Sequence, residues 1–365
     1  MQILLNLYFR DGLKNIKPVE NKKSYPQKII FFAPSLLYKK FFSRNTIFKG
    51  RDFFMFNFRT DLADERRDLY RKANKIENEI QGIETEEQVI TEKIKVTRVK
   101  ITNEQGEQAI GKKQGNYITI DIKKMNIITD EEIEKAAETL ANEIKKLVQD
   151  KVQYKEDILI VGLGNEEVTP DALGPNVVKE IEVTRHIINY LPQYIDENAR
   201  PVSAIAPGVL GTTGIETLEI IKGVVDNIKP KLLIVIDALA SRSIERISST
   251  IQLSDTGIVP GAGVGNTRKE LSEATLGIPV IAIGIPTVVE TAVVVNDALD
   301  LFIEKLQQEA KSNDYLNTLK EEDNYEQIKE ALLPKDFNFI VTPKEIDSLI
   351  LNMSKVVAKG INMSM

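Results

Sequence analysis

The chain has 365 residues, 42% of them hydrophobic, with a net charge of −6, no cysteine and one histidine, His186. This composition suits one large or two ordinary globular domains. It excludes disulfide frameworks, thiolate zinc sites and multi-histidine metal centres, and no apolar run approaches the roughly 20 residues of a membrane-spanning helix.

Residues 1–54 differ from the rest. They hold eleven Lys/Arg against three Asp/Glu and 11 of the 23 aromatics, which leaves the remainder of the chain at −14. An acidic remainder argues against nucleic acid as the main ligand. No helical or strand period is sustained in 1–54, and no secretory pattern is present. The segment reads either as a basic, aromatic arm for nucleic acid or a membrane surface, or as an upstream region preceding a translation start at Met55. The second reading is the simpler one, so 1–54 is expected to be a spurious or disordered extension.

Residues 55–90 begin with a short apolar stretch and become a charged, helix-prone run. Residues 93–101 alternate as a strand, with Ile94 and Val96 on one face and Val99 and Ile101 on the other; the phase slip predicts a bulge. Residues 117–122 form the expected partner strand, with Gly106, Gly111 and Gly115 in the connection. Thr129 and Glu132 form a capping box ahead of a helical stripe from Ile133 to Val148. The same spacing recurs at Thr213/Glu216, Thr287/Glu290 and Thr342/Glu345, the last with Pro343 at the first helical position. Each pair follows a strand-like run, at 202–206, 280–283 and 339–341. Strand, short loop and capped helix in repetition predict a doubly wound α/β sheet. Residues 307–335 read as a polar surface excursion, and the final helix is expected over 343–358, stopped by Gly360.

The chain is organised around residues 232–242, where five apolar residues run without alternation into Asp237. Such a run reads as a strand buried on both faces, with the aspartate at its carboxyl end, the edge where open α/β sheets bind ligands. A second run, 158–161, leads into Gly162-Leu163-Gly164-Asn165 and Thr169-Pro170-Asp171. Glu167 stands where a dinucleotide fingerprint needs its third glycine, so the glycines are expected to allow a tight turn beside Asp171. The helix start predicted there favours ionised Asp171, whereas burial favours neutral Asp237. That division of labour suits water-mediated hydrolysis; the alternative is that both acids are structural. Asp255-Thr256-Gly257 matches the triplet of two-lobed aspartic proteases, but occurs once and in an α/β setting. The 261–266 glycine loop reads as a backbone approach to a peptide or as a phosphate cradle. Ser241 and Ser243 lack a G-x-S-x-G elbow, and His186, on a helix expected over 177–190, reads as structural.

Several motifs together resemble the germination protease family of endospore-forming bacteria: Arg59-Thr60-Asp61-Leu62-Ala63, Val161-Gly162-Leu163-Gly164-Asn165, Thr169-Pro170-Asp171-Ala172-Leu173-Gly174-Pro175, Ile236-Asp237-Ala238-Leu239-Ala240, Gly277-Ile278-Pro279 and Val341-Thr342-Pro343. The resemblance runs from about Phe58 to the C-terminus. It implies an endopeptidase that degrades small acid-soluble spore proteins during germination, located in the forespore and spore core. It also implies a homotetrameric zymogen that removes its own propeptide, residues 55–61, by cutting between Asp61 and Leu62. Asp171 and Asp237 correspond to the family's essential aspartates, and residues 62–365 to a single α/β peptidase domain. The implied fold is a three-layer α/β sandwich with a mostly parallel sheet plus a small antiparallel hairpin, like that of hydrogenase-maturation endopeptidases. No metal, no cofactor, no direct nucleic-acid contact and no membrane contact are expected. The rival readings are a metal-dependent maturation-type endopeptidase and a non-catalytic binding module of the same fold. The cleavage junction is expected to be exposed and mobile, as a cleavable terminus is.

Overall fold

The computed structural model describes residues 60–309 and 339–365, apart from residues 150, 154, 198 and 262–267. The expectations for 1–54, for most of 307–335 and for the glycine loop after Gly261 fall outside the described residues.

A nine-stranded sheet runs through the molecule in the order β1-β2-β3-β7-β8-β6-β4-β5, with β9 beside β8. Strands β4 (Ile158–Gly162), β5 (Val202–Ile205), β6 (Leu232–Ser241) and β8 (Val280–Glu290) pair in parallel. Strands β1 (Ile83–Val89), β2 (Ile94–Ile101), β3 (Gly115–Ile122) and β7 (Thr250–Ser254) are antiparallel to their neighbours, as is β9 (Ile340–Val341). The α/β class stands, but the sheet is mixed rather than mostly parallel. The expected antiparallel hairpin forms as β2–β3, is extended by β1, and joins the same sheet because β3 pairs with β7.

Helices cover both faces. On one, α3 (Asp130–Val148), α4 (Leu173–Lys179) and α10 (Ile346–Ser364) bury Leu140, Val177 and Met353 against Ile160, Ile236, Ile283 and Leu253. On the other, α7 (Thr217–Ile228) and α8 (Glu273–Leu276) bury Ile221 and Leu276 against Leu159, Val161, Leu233 and Val235. Beyond them, α1 (Ala63–Ala73) and α2 (Glu104–Ile110) cover β1–β3 with a separate apolar cluster around Val99, Ile101 and Tyr117. The result is three layers.

This layering explains the phase slip in β2. The strand pairs residue for residue with both neighbours and carries no bulge. Ile94 and Val96 face the α3/α10 layer while Val99 and Ile101 face the α1/α2 layer. The buried face changes because a different helix lies over each half of the strand.

The capping box at Thr129/Glu132 forms as expected. The other three do not. Glu216, not Thr213, precedes α7. Thr287 and Glu290 lie inside β8. Thr342 donates its hydroxyl to the Thr287 carbonyl at 2.9 Å while helix α10 starts later, at Ile346, so Pro343 precedes the helix. A four-residue spacing is too short to compete with pairing across a buried sheet. Gly360 does not stop α10; it lies within it, where a Cβ would come 2.7–3.0 Å from the Leu140 side chain. It marks a close crossing of α10 over α3. The helix expected over 177–190 is two short helices, α4 and α5 (Arg185–Tyr190).

Candidate active site

Strand β4 stops at Gly162, paired with Ile236, while β6 and β8 continue. Asp237 is the first residue of β6 past that end. It therefore lies within β6 rather than at the strand's terminus, which is Ser241. β4 and β6 lie where the order of the parallel strands reverses, the edge at which open α/β sheets place their ligands.

The loop after β4 brings Asp171 to this edge, where its charge acts on Asp237. The Leu163 N–H donates to the Ile236 carbonyl at 2.8 Å, which holds the loop to β6. A Cβ on Gly162 would lie 2.1 Å from the Gly174 carbonyl oxygen. Gly164 has φ +115°, and a Cβ there would lie 1.9 Å from the Asp171 carbonyl oxygen. These glycines let the backbone fold back on Asp171 and are not arranged for a phosphate. Asp171 ends a three-residue 3-10 turn, Thr169–Asp171, and its Oδ2 accepts from the Asn165 N–H at 2.8 Å.

Asp237 is 5% exposed. Burial pushes its carboxyl well above the usual range, and the charges of Asp171 and Asp61 push in the same direction. Burial also raises Asp171, opposed by the Asn165 hydrogen bond. The helix start expected to hold Asp171 ionised is only this short turn, so desolvation prevails. Asp237 carries, besides its burial, the added upward push of two neighbouring carboxylates.

The third acid near Asp237 is Asp61. The expectation of an exposed junction is overturned here: Thr60, Leu62 and Ala63 are fully buried and Asp61 nearly so. The reason is a set of specific hydrogen bonds. The Asp61 N–H donates to the Ala240 carbonyl at 3.1 Å, and the Ala240 N–H donates to Asp61 Oδ2 at 3.1 Å. Gln252 Nε2 donates to the Asp61 carbonyl at 3.1 Å, and the Ala63 N–H donates to Gln252 Oε1 at 2.6 Å. Thr60 donates its hydroxyl to Glu65, whose Oε2 also accepts from the Arg242 N–H at 2.9 Å. Arg246 pairs with Asp64 at 2.6 Å. Beside Asp61 lies a cavity of about 280 Å³ lined by Arg66, Lys112, Tyr117, Gln252 and Thr256, among others. Lys112 stands 5.9 Å from the Tyr117 ring centroid, and its desolvation brings its ammonium down to about 8 despite the opposing pull of Asp61.

Of the other candidates, Thr256 and Gly257 of the Asp-Thr-Gly triplet border the cavity beside Asp61. Both Asp255 oxygens accept from Asn116, each at 2.8 Å, so the Asp-Thr-Gly triplet anchors β3 to the end of β7. Ser241 donates to the Ser243 carbonyl and Ser243 caps Glu245. His186 is exposed on α5. Among the described residues no cluster of three Asp, Glu, His or Cys side chains is arranged to hold a metal, and no helix is long and apolar enough to cross a membrane.

The family profile described as "Germination protease" matches residues 60–318 and 314–365. This chain belongs to the germination protease family. Germination proteases from Clostridium acetobutylicum (46% identical, covering 84% of this chain and 94% of the relative), Clostridium tetani (48%, 84% and 95%) and Bacillus cereus (41%, 85% and 94%) are similar to it. Among solved structures, the [NiFe] hydrogenase maturation protease HycI from Thermococcus kodakarensis is similar at 19% identity and a TM-score of 0.25, over 39% of this chain and 80% of its own. As a germination protease, the chain is a hydrolase of peptide bonds.

Sequence reasoning missed Gln252, Glu65, Arg246 and Lys112. One signal was legible: β7 reads Thr250-Ile251-Gln252-Leu253-Ser254, a strand buried throughout yet polar at every second residue. A polar stripe on a buried face marks a site rather than a core.

Proposed function

We propose that this germination protease is an aspartic-type endopeptidase that starts the breakdown of small acid-soluble spore proteins, and that it is made as a zymogen cut between Asp61 and Leu62. One observation carries the reading: Asp61 lies near enough to Asp237 for its charge to act on that carboxyl, as the charge of Asp171 does, and its carbonyl is held by Gln252. The junction, a bend at Asp61 leading into the first helix at Ala63, is tied to β6 through Ala240 and to β7 through Gln252, which poses it as a substrate. The acidic residue before the bond has a built surround in Arg66 and Lys112.

In this mechanism the ionised Asp171 takes a proton from water as its oxygen attacks the Asp61 carbonyl carbon. Protonated Asp237 gives its proton as the C–N bond breaks, leaving a carboxyl group on Asp61 and an amine on Leu62. Transfer of the proton taken by Asp171 to the now ionised Asp237 restores the pair for the next cycle. The two acids share one proton because side-by-side carboxylates repel. The homotetramer and the spore-core location rest on the family resemblance.

The test is incubation of the purified chain alone and with a small acid-soluble spore protein, followed by mass analysis of the products. The expected matured form begins Leu62-Ala63-Asp64. Asp171→Asn and Asp237→Asn should each slow both cuts by about 10²–10⁴ without loss of fold, while Asp255→Asn should not. A chelator that abolishes cleavage would favour the metal-dependent reading. Failure to cut any spore protein with both aspartates intact would favour the binding-module reading.

A further inference from the structure

Gln252 stands in one row with Asp237. Strand pairing places Asp237 opposite Gly284, and Gly284 opposite Gln252, so the two polar side chains project from the same face with a glycine between them. Gln252 is 7% exposed, on a strand whose buried neighbours Ile251 and Leu253 face the opposite layer. Its carboxamide makes two contacts, and both are to main chain. It donates to the Asp61 carbonyl at 3.1 Å and accepts from the Ala63 N–H at 2.6 Å. The orientation of the amide follows from its partners: a carbonyl only accepts and an N–H only donates. The two contacts bracket the Asp61–Leu62 peptide, one on each side of it.

We infer that Gln252 is a catalytic residue of the self-cleavage, gripping the scissile peptide from both sides and donating to the carbonyl oxygen that becomes negative when water attacks. The inference rests on the reading that Asp61–Leu62 is the bond cut. The chemistry follows from position. As water adds to the Asp61 carbon, the C=O π electrons move to oxygen, and the donor already aimed at that oxygen stabilises the charge without having to reorient. The bond from Ala63 to Oε1 holds the amide plane so that Nε2 cannot turn away. Asp237, two strand pairings away on the same face, then acts on a peptide whose carbonyl direction is already set. Because both contacts are to backbone, the clamp is indifferent to side-chain identity, and the choice of an acidic residue before the bond is left to Arg66 and Lys112.

The test compares the full chain with Gln252→Glu and Gln252→Met, following the appearance of the Leu62 N-terminus by intact mass from about pH 4 to about pH 8, the range across which a carboxylate changes charge. Glutamate keeps the acceptor for Ala63 and, when ionised, lacks the donor; methionine has neither and introduces no buried charge, so it reads out even if the glutamate variant folds poorly. Loss of one such donor costs about 10²–10³ in rate, so both variants should slow self-cleavage by that factor at neutral pH. Gln252→Glu should recover relative to the unchanged chain as the pH falls and its carboxyl becomes an O–H donor, and Gln252→Met should not. A folded variant that cuts within about threefold of the unchanged chain overturns the assignment, since a lost donor costs far more. Equal slowing of both variants at every pH also overturns it, because that is the signature of a structural prop. An unchanged chain that is cut elsewhere, or not at all, overturns the junction reading and this inference with it.

Discussion

At Asp237, burial and two neighbouring carboxylates all raise the affinity for a proton. The folded protein therefore binds this proton more tightly than the unfolded chain does. Each unit of difference is worth about 1.4 kcal/mol. The sign follows: the proton-bound form stabilises the fold at low pH, and that stability is lost as pH rises from the unfolded carboxylate value of about 3.9 toward the raised folded one. Asp237→Asn removes a group that resists ionisation. Its unfolding midpoint should exceed that of the unchanged protein at neutral pH, and the two should converge near pH 4, even though the variant cleaves far more slowly. Thermal melts across this range check it; a variant less stable at neutral pH would contradict the buried, proton-retaining acid. Asp255 makes the contrasting case. Its carboxylate serves Asn116, so Asp255→Asn should cost about 1 kcal/mol of stability and leave cleavage essentially intact.

Among the elements, the β4–α4 connection carries the most constraint. Gly164 combines a positive φ with a Cβ position 1.9 Å from a backbone oxygen of Asp171, and no rotamer change relieves either. Gly164→Ala should destabilise by about 1–3 kcal/mol or more, in line with overpacking elsewhere. It should also reduce cleavage in protein that remains folded, because the displaced backbone is that of Asp171. Denaturant midpoints and single-turnover rates measured on the same samples separate the two effects. Strand β1 shows how an element escapes a sequence reading. Its residues, Ile83–Val89, carry three glutamates and a glutamine, and most are exposed. An edge strand is charged because charge protects it from pairing with other chains, so the apolar alternation that identifies strands is missing.

At the scale of the whole molecule, the segment that opens the described chain is tied to the far end of β6 and the loop beyond it. Arg246 holds Asp64 at 2.6 Å and lies 3.5 Å from Glu65, and both acids are buried. Arg246→Ala leaves two buried carboxylates without their cation. Removing one partner of a buried pair costs about 3–5 kcal/mol, so urea unfolding should shift by that amount. Self-cleavage should also slow, because residues 60–63 lose their anchor; a shift below about 1 kcal/mol would show the pair to be surface-like.

The apolar runs at 158–161, 232–236 and 280–283 specify buried strands by themselves, and the first two place a tight loop and an acid at the sheet's functional edge. The capping box at Thr129 and the helical stripe after it are equally local. Asp171 and Asp237 were therefore legible as a candidate pair, since both follow from what a continuous apolar run does. What the chain could not show locally is pairing at long range. The contacts that put Asp61 against Ala240 and Gln252 span 179 and 191 residues. They exist only because β7 enters the sheet beside β8 and extends it with the antiparallel strands. Burial of the junction, the row from Asp237 across Gly284 to Gln252, and the change of buried face along β2 all follow from that strand order. Periodicity records which face of a strand is apolar, but not which strand lies next to it; that choice was made when the sheet closed around its helices.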